Sequence, residues 1–407
     1  MDAQKDIVDL LLMTKKAEKR ALLFLFSAAS LVRSIRLVVH ELQLERGSST
    51  LYLVSAGEVS NAERLCRFRT EFEALRTEML KCIRCWLDQN QDFVLGGGVF
   101  IRLAQALSLL NGLEEVRDKV DEVVIEPMAE IEFFNALIES FLAVILEMTE
   151  MSVDGEVSKA MVALFNFMQA KEYAGQERAL RALLFSRPHK DRALTELLQH
   201  RVEEQDHFFD GFAGFAQSEQ VEKFKQSLIC QDDFKYYRQS SVQALKGEAL
   251  AQQWFEVATK RIDALHQIES ELIDVLLRLC ALKLQQAESA LSNEQALLAG
   301  FREGVPPNSN PSNGANRPEF EFSRTADVLL EKIQIQSKHL HDVQEQLVLT
   351  KQALLERTFI ERAKSLLILQ KGISEQAAHK TMRETAMQSG QKMVDVAKNM
   401  LKQVGHL

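Results

Sequence analysis

Near its C-terminal end the chain places Met393, Val396, Ala397, Met400 and Leu401 at i, i+3, i+4, i+7 and i+8, the spacing of a helix with one apolar face. Two shorter patterns precede it. Ile360, Ala363 and Leu367 share a stripe widened by Phe359 and Leu366, and Gly372 ends it. Ser374 then caps a second helix whose inner face is Ala377, Ala378, Thr381, Met382 and Thr385, until Ser389-Gly390 breaks the chain again. Three helices with one inward face each predict a small three-helix bundle over 357–407, with the charged residues left outside.

Further upstream, Ile333, Leu340, Leu347 and Leu354 fall at seven-residue intervals, with Leu329, Gln336, Val343 and Thr350 in the partner positions. Two polar residues in the second series weaken a long dimeric coiled coil, so 325–356 is expected to be a helical, coiled-coil-like stem. The segment 300–324 holds Gly300, Gly304, Gly314, Pro306, Pro307, Pro311 and Pro318 among Asn and Ser, a composition that buries no core and reads as a linker. Residues 1–299 alternate long amphipathic segments with short breaks near 90–98, 154–155, 186–189 and 231–234, which suits up-and-down helix bundles. With 17 Gly, 6 Pro and no convincing strand pattern, the fold class is all-α.

Charge adds a direction to this layout. Arg357 to Leu407 carries nine Lys or Arg against four acids, which leaves −14 on the rest of a chain whose total is −9. A basic island on an acidic body makes a polyanion the first partner to consider. The most apolar stretch near the N-terminus, Ala21 to Val32, is twelve residues long. That is short of the about 20 a bilayer core requires, so no membrane is expected and a cytosolic address follows.

Enzymatic chemistry finds little support. His40-Glu41 begins like a zinc-protease H-E-x-x-H, but position 44 is Leu44. Cys82 and Cys85 form a C-x-x-C inside a helical pattern with no second pair, and five cysteines make no disulfide framework. No Gly-rich phosphate loop and no nucleophile elbow appear. A non-enzyme without metal or cofactor is expected.

Two blocks carry family resemblances. Ile360-Glu361-Arg362-Ala363-Lys364, Gly372-Ile373-Ser374 with Ala377, Arg383 with Ala386, and Lys392 with Asp395-Val396-Ala397 together resemble the ANTAR domain, the RNA-binding output module of bacterial antitermination regulators. Ser365 stands where that family usually has Gly. Val39 to Ser49, centred on Gln43-Leu44-Glu45-Arg46-Gly47, and Ala170 to Ala179, with Gly175-Gln176-Glu177-Arg178, resemble the NIT domain, an all-helical sensor of nitrate and nitrite. A NIT domain followed by an ANTAR domain is the layout of nitrate- and nitrite-responsive antitermination regulators.

The resemblance implies a small, planar, singly charged oxyanion as ligand and leader-RNA hairpins as partner. A guanidinium fork offers parallel N–H groups to two oxygens and keeps its proton, so Arg46 and Arg178 are the first ligand candidates, then Arg238 beside Phe234-Lys235-Tyr236-Tyr237, and last Arg261 after Trp254-Phe255. For RNA, Arg362, Lys364, Lys380, Arg383 and Lys392 supply positive charge, while Ser389, Gly390 and Gln391 offer donors at a helix start. No aromatic other than Phe359 lies near this surface, so phosphate contacts and hairpin shape are expected to outweigh base stacking. Two modules in a homodimer would match two hairpins. The rival reading is a ligand-sensing DNA-binding regulator or a protein-interaction sensor. Against it, the helix from Gln391 carries few side chains suited to base edges.

Overall fold

The computed structural model describes residues 3–302, apart from 56, 91–96, 153, 188–190, 229–231 and 240–246, and then 356, 359–360, 363–364, 366–368, 371, 373 and 375–403. Among the described residues every regular element is a helix. The expected linker and stem lie outside them, apart from Glu356 and residues 300–302, which continue the preceding helix; so do Arg362, Ser365, Gly372 and Ser374.

Among the described residues, ten helices lie within residues 3–302. They are α1 (Ala3–Val54), α2 (Val59–Gln89), α3 (Gly97–Leu110), α4 (Leu113–Asp121), α5 (Pro127–Glu150), α6 (Gly155–Ser186), α7 (Arg192–Phe215), α8 (Ser218–Ser227), α9 (Asp232–Gln239) and α10 (Glu248–Arg302). Their ends follow local chemistry. Asp154 accepts from the amides of Glu156 and Val157 at 2.9 Å each to open α6, and Asp191 does the same for Leu194 at 2.9 Å to open α7. Pro127 sits in the first turn of α5, where its missing N–H leaves nothing unsatisfied.

Helix α6 is the axis of the bundle, packed by α1, α5, α7 and α10. From Met161 to Phe185 it is buried on every side, charged residues included, as a helix enclosed by others must be. Phe167 shows the apolar part of that packing, with Phe209, Phe212 and Phe224 ringed around it at 4.9 to 5.7 Å between centroids. Helix α1 lies alongside and runs antiparallel to α10, since Arg36 meets Glu269 while Lys19 meets Glu288.

The sequence pattern ends the apolar stretch of α1 at Val32, but the structure does not. Leu12–Val54 is one unbroken helix, long and apolar enough by length and composition to cross a membrane, and most of its apolar window is buried against the other helices. The polar residues after Val32 do not mark an end. Gln43, Glu45 and Arg46 are as buried as the leucines around them, because each meets a polar partner from another helix.

In the C-terminal segment, 359–360, 363–364 and 366–368 are helical and are followed by α11 (Glu375–Ser389) and α12 (Met393–Gln403). The inward faces match the apolar spacing: Ala363, Leu367, Ala378, Met382, Val396, Ala397 and Leu401 are buried. Gly390 at φ +63° ends α11, and the amide of Gln391 reaches back to the Ala386 carbonyl at 3.1 Å, a left-handed helix stop that glycine adopts without steric cost.

Candidate anion site and output surface

Two glycines let α1 and α6 meet arginine against backbone. A Cβ on Gly47 would stand 2.5 Å from Nη2 and 2.7 Å from Cζ of Arg178, and a Cβ on Gly175 would collide with Nη2 of Arg46. Each helix therefore vacates a side-chain position for the guanidinium of the other.

Both arginines are fully buried. Arg46 donates from Nη1 to Glu172 Oε1 and, at 2.6 Å, to Asn135 Oδ1, and from Nη2 to Glu172 Oε2 at 3.3 Å. Glu172 also accepts from Gln43 Nε2 at 2.9 Å and from Gln176 Nε2 at 2.8 Å. Arg178 has a different environment. Its Nη2 donates to the backbone carbonyl of Gln43 at 2.5 Å, its Nη1 to Thr259 Oγ1 at 2.9 Å, and its guanidinium lies 4.7 Å from the Phe255 ring centroid. Among the described residues no carboxylate comes within ion-pairing distance of it.

Burial, and then the Arg46 charge, pull the Arg178 guanidinium down to about 9. Glu130 stands close by, receiving Thr50 Oγ1 at 2.9 Å. Burial pushes its carboxyl well above the ordinary range, against the pull of Thr50 and Arg46. Glu172 is ion-paired with Arg46, whereas Arg178 feels the carboxylates of Asp263 and Glu172 only at longer range. Farther out, Glu45 is held by Arg117 at 2.8 Å and Arg69 at 3.1 Å.

A second polar layer lies one turn earlier along α6. Lys171 Nζ meets Glu269 Oε2 at 2.6 Å, joined by Arg36 Nη1 and His266 Nδ1 at 3.4 and 3.3 Å. His40 stacks on His266 with ring centroids 3.6 Å apart, and burial, reinforced by Lys171, holds His40 well below its usual range and neutral. His40 thus packs against the ring of His266.

Arg238 does not join Arg46 and Arg178. It donates from Nε to Glu177 Oε1 at 3.1 Å, alongside Arg181 at 3.3 Å, while Gln205 Nε2 takes the other Glu177 oxygen at 3.0 Å. Arg261 holds Gln205 Oε1 at 3.1 Å and lies 4.5 Å from the Phe234 ring centroid. Glu177 and Arg178 are consecutive residues that serve different neighbours, α7 and α9 for one and α1 and α10 for the other. Gln43, Asn135, Glu172, Gln176 and Thr259 complete the crossing without having been singled out from sequence. Gln43, Glu172 and Gln176 stand inside the family-like blocks, but nothing in one helix's spacing reveals a carboxylate contributed by another.

Six of the RNA candidates, Lys380, Arg383, Ser389, Gly390, Gln391 and Lys392, are exposed. Lys364 is buried and in this arrangement faces no solvent, while Arg362 lies outside the described residues. The module that carries Lys364 is docked on the sensor helices. One apolar cluster joins Ile131 of α5, Ala179, Leu180, Leu183 and Leu184 of α6, and Leu194, Leu197 and Leu198 of α7 to Ala363, Leu367, Ile368, Ala378, Met382, Ala397 and Leu401.

Comparison with known proteins fits this geometry. A family model described as nitrate and nitrite sensing matches residues 37–277, and one described as the ANTAR domain matches residues 349–401. The nitrate regulatory protein of Klebsiella oxytoca is 30% identical over 401 residues, covering 97% of this chain and 95% of its own length. The solved structure of the NasR transcription antiterminator is similar with a TM-score of 0.62 at 27% identity, over 99% of this chain and 100% of that one. The chain belongs to the nitrate and nitrite sensing (NIT) family and ends in an ANTAR domain.

Proposed function

We propose that this protein is a cytosolic, nitrate- or nitrite-responsive transcription antitermination regulator and not an enzyme. The anion binds at the α1–α6 crossing through Arg46 and Arg178; the C-terminal module then engages leader-RNA hairpins through Lys380, Arg383, Ser389, Gly390, Gln391 and Lys392 and keeps a terminator from forming. Two modules in a homodimer serve two hairpins. The observation that carries the reading is that Arg178, fully buried beside Arg46, has no carboxylate within ion-pairing distance among the described residues, a place that a monoanion with planar acceptors fills.

Coupling runs along α6. Arg178 belongs to the anion site, and Ala179, Leu180, Leu183 and Leu184 hold the output module. A ligand shifts a two-state equilibrium only by its differential affinity, and a hundredfold preference for the undocked form supplies about 2.7 kcal/mol. Undocking adds Lys364 to the basic residues that already face solvent and frees the module to meet RNA. Filter binding of a hairpin-bearing leader RNA, with and without nitrate, tests the reading: affinity is expected to rise with nitrate, and equal affinity in both conditions would sink the switch.

A further inference from the structure

The carboxylate of Glu172 occupies the Arg46 fork in the way a planar oxyanion would. Its two oxygens lie in front of Nη1 and Nη2 of Arg46 and receive the side-chain amides of Gln43 at 2.9 Å and Gln176 at 2.8 Å, four donors on a group with no exposed surface. Nitrate, nitrite and carboxylate share the same recognition chemistry: a singly charged, planar group with two in-plane oxygens side by side. The donor set assembled around Glu172 is therefore complete for the ligand, but already filled by the protein itself. Resting on the reading of this crossing as the nitrate site, we propose that Glu172 is a built-in competing anion, and that nitrate or nitrite binds by displacing its carboxylate from the Arg46 fork.

Two consequences distinguish a competitor from a mere counter-ion. An anion has to match the fork and both amides to take the place of a bidentate carboxylate, so the competition filters anions by shape. Chloride, a sphere, meets the fork with one acceptor atom and cannot also serve both side-chain amides, so it competes less well against the carboxylate. The competition also weakens nitrate itself, because part of the gain at Arg46 is spent on losing Glu172. Removing the competitor's charge while keeping its size and an acceptor oxygen tightens nitrate and admits chloride.

Isothermal titration of the full chain with sodium nitrate and with sodium chloride, for the wild type and Glu172→Gln, reads both effects. Nitrate affinity is expected to rise about tenfold or more in E172Q, which corresponds to about 1.4 kcal/mol. The nitrate-to-chloride preference is expected to fall. Glu172→Asp, which keeps the charge but withdraws it by one methylene, should tighten nitrate in the same direction. Unchanged or weaker nitrate binding in folded E172Q, with wild-type binding intact, overturns the proposal and leaves the nitrate site standing. Silence of the wild type and both variants toward nitrate overturns the site itself. If both variants unfold and excess nitrate does not restore them, Glu172 is a structural counter-ion and the proposal falls.

Discussion

Helix α6 carries two arginine-rich groups side by side, and they differ in how their charge is balanced. At the α1–α6 crossing, Arg46 is paired with Glu172 while Arg178 has no carboxylate within ion-pairing distance among the described residues, and neither arginine meets solvent. Around Glu177, Arg181 and Arg238 share one glutamate, and the Arg238 side chain is 22% exposed and has Asp206 at 3.8 Å as a second partner. Water and a surface carboxylate complete the second group. In the first, the Arg178 guanidinium is left for a dissolved anion to match under the proposed reading, so burial and pairing distinguish the two groups where residue type does not.

The contrast is broken most severely at Arg46. Arg46→Ala strands the Glu172 carboxylate in the core and is expected to destabilise the sensor by about 3–5 kcal/mol in urea unfolding. Arg46→Lys keeps the charge but loses the fork, and should abolish the nitrate heat while the helical circular dichroism persists. Next comes Gly47→Ala, whose Cβ meets three atoms of the Arg178 guanidinium closer than 3.0 Å. A loss of about 1–3 kcal/mol, measured by chemical denaturation, is the expected cost of such overpacking. Gly214→Ala, with nothing within 4 Å of the added atom, should leave nitrate binding untouched.

A pH series sharpens the comparison without mutation. An anion held by Arg178 requires the guanidinium protonated, and burial lowers its pKa to about 9. Nitrate affinity should therefore be flat from pH 7 to 8 and fall as pH rises through about 9, approaching tenfold per unit above it. A titration flat to pH 10.5 would show that Arg178 stays charged there or takes no part. The smallest effect belongs to the second group. Arg238→Ala removes a partly exposed pair and should change stability by about 0.2–1 kcal/mol, with nitrate affinity within twofold of wild type. A large loss of nitrate binding in that variant would return Arg238 to the anion site.

Apolar spacing made the helices legible because each C-terminal helix buries one face only. Ala378, Met382, Val396, Ala397 and Leu401 stand where the three- and four-residue repeat puts them. Breaks at Asp154-Gly155 and Ser389-Gly390 were legible for the same local reason, a capping carboxylate and a left-handed glycine. Arg46 and Arg178 were not legible from spacing: on helices buried all round, periodicity assigns no inside, and only family-like blocks pointed to them. Glu172 escaped because its partner stands 126 residues away on another helix. Lys364 was read as a surface cation, since a module considered alone gives no sign of the surface it docks against.

The short span of α6 between Arg178 and Leu184 has an evolutionary reading. Six residues of helix measure about 9 Å, so Arg178 and the leucines that hold the C-terminal module lie within two turns of one rigid rod. A single inserted residue between Arg178 and Leu180 would turn the docking leucines about 100° away from their partners while leaving the arginine in place. A change of length here is therefore expected to cost more than an exchange of side chains around the same spacing.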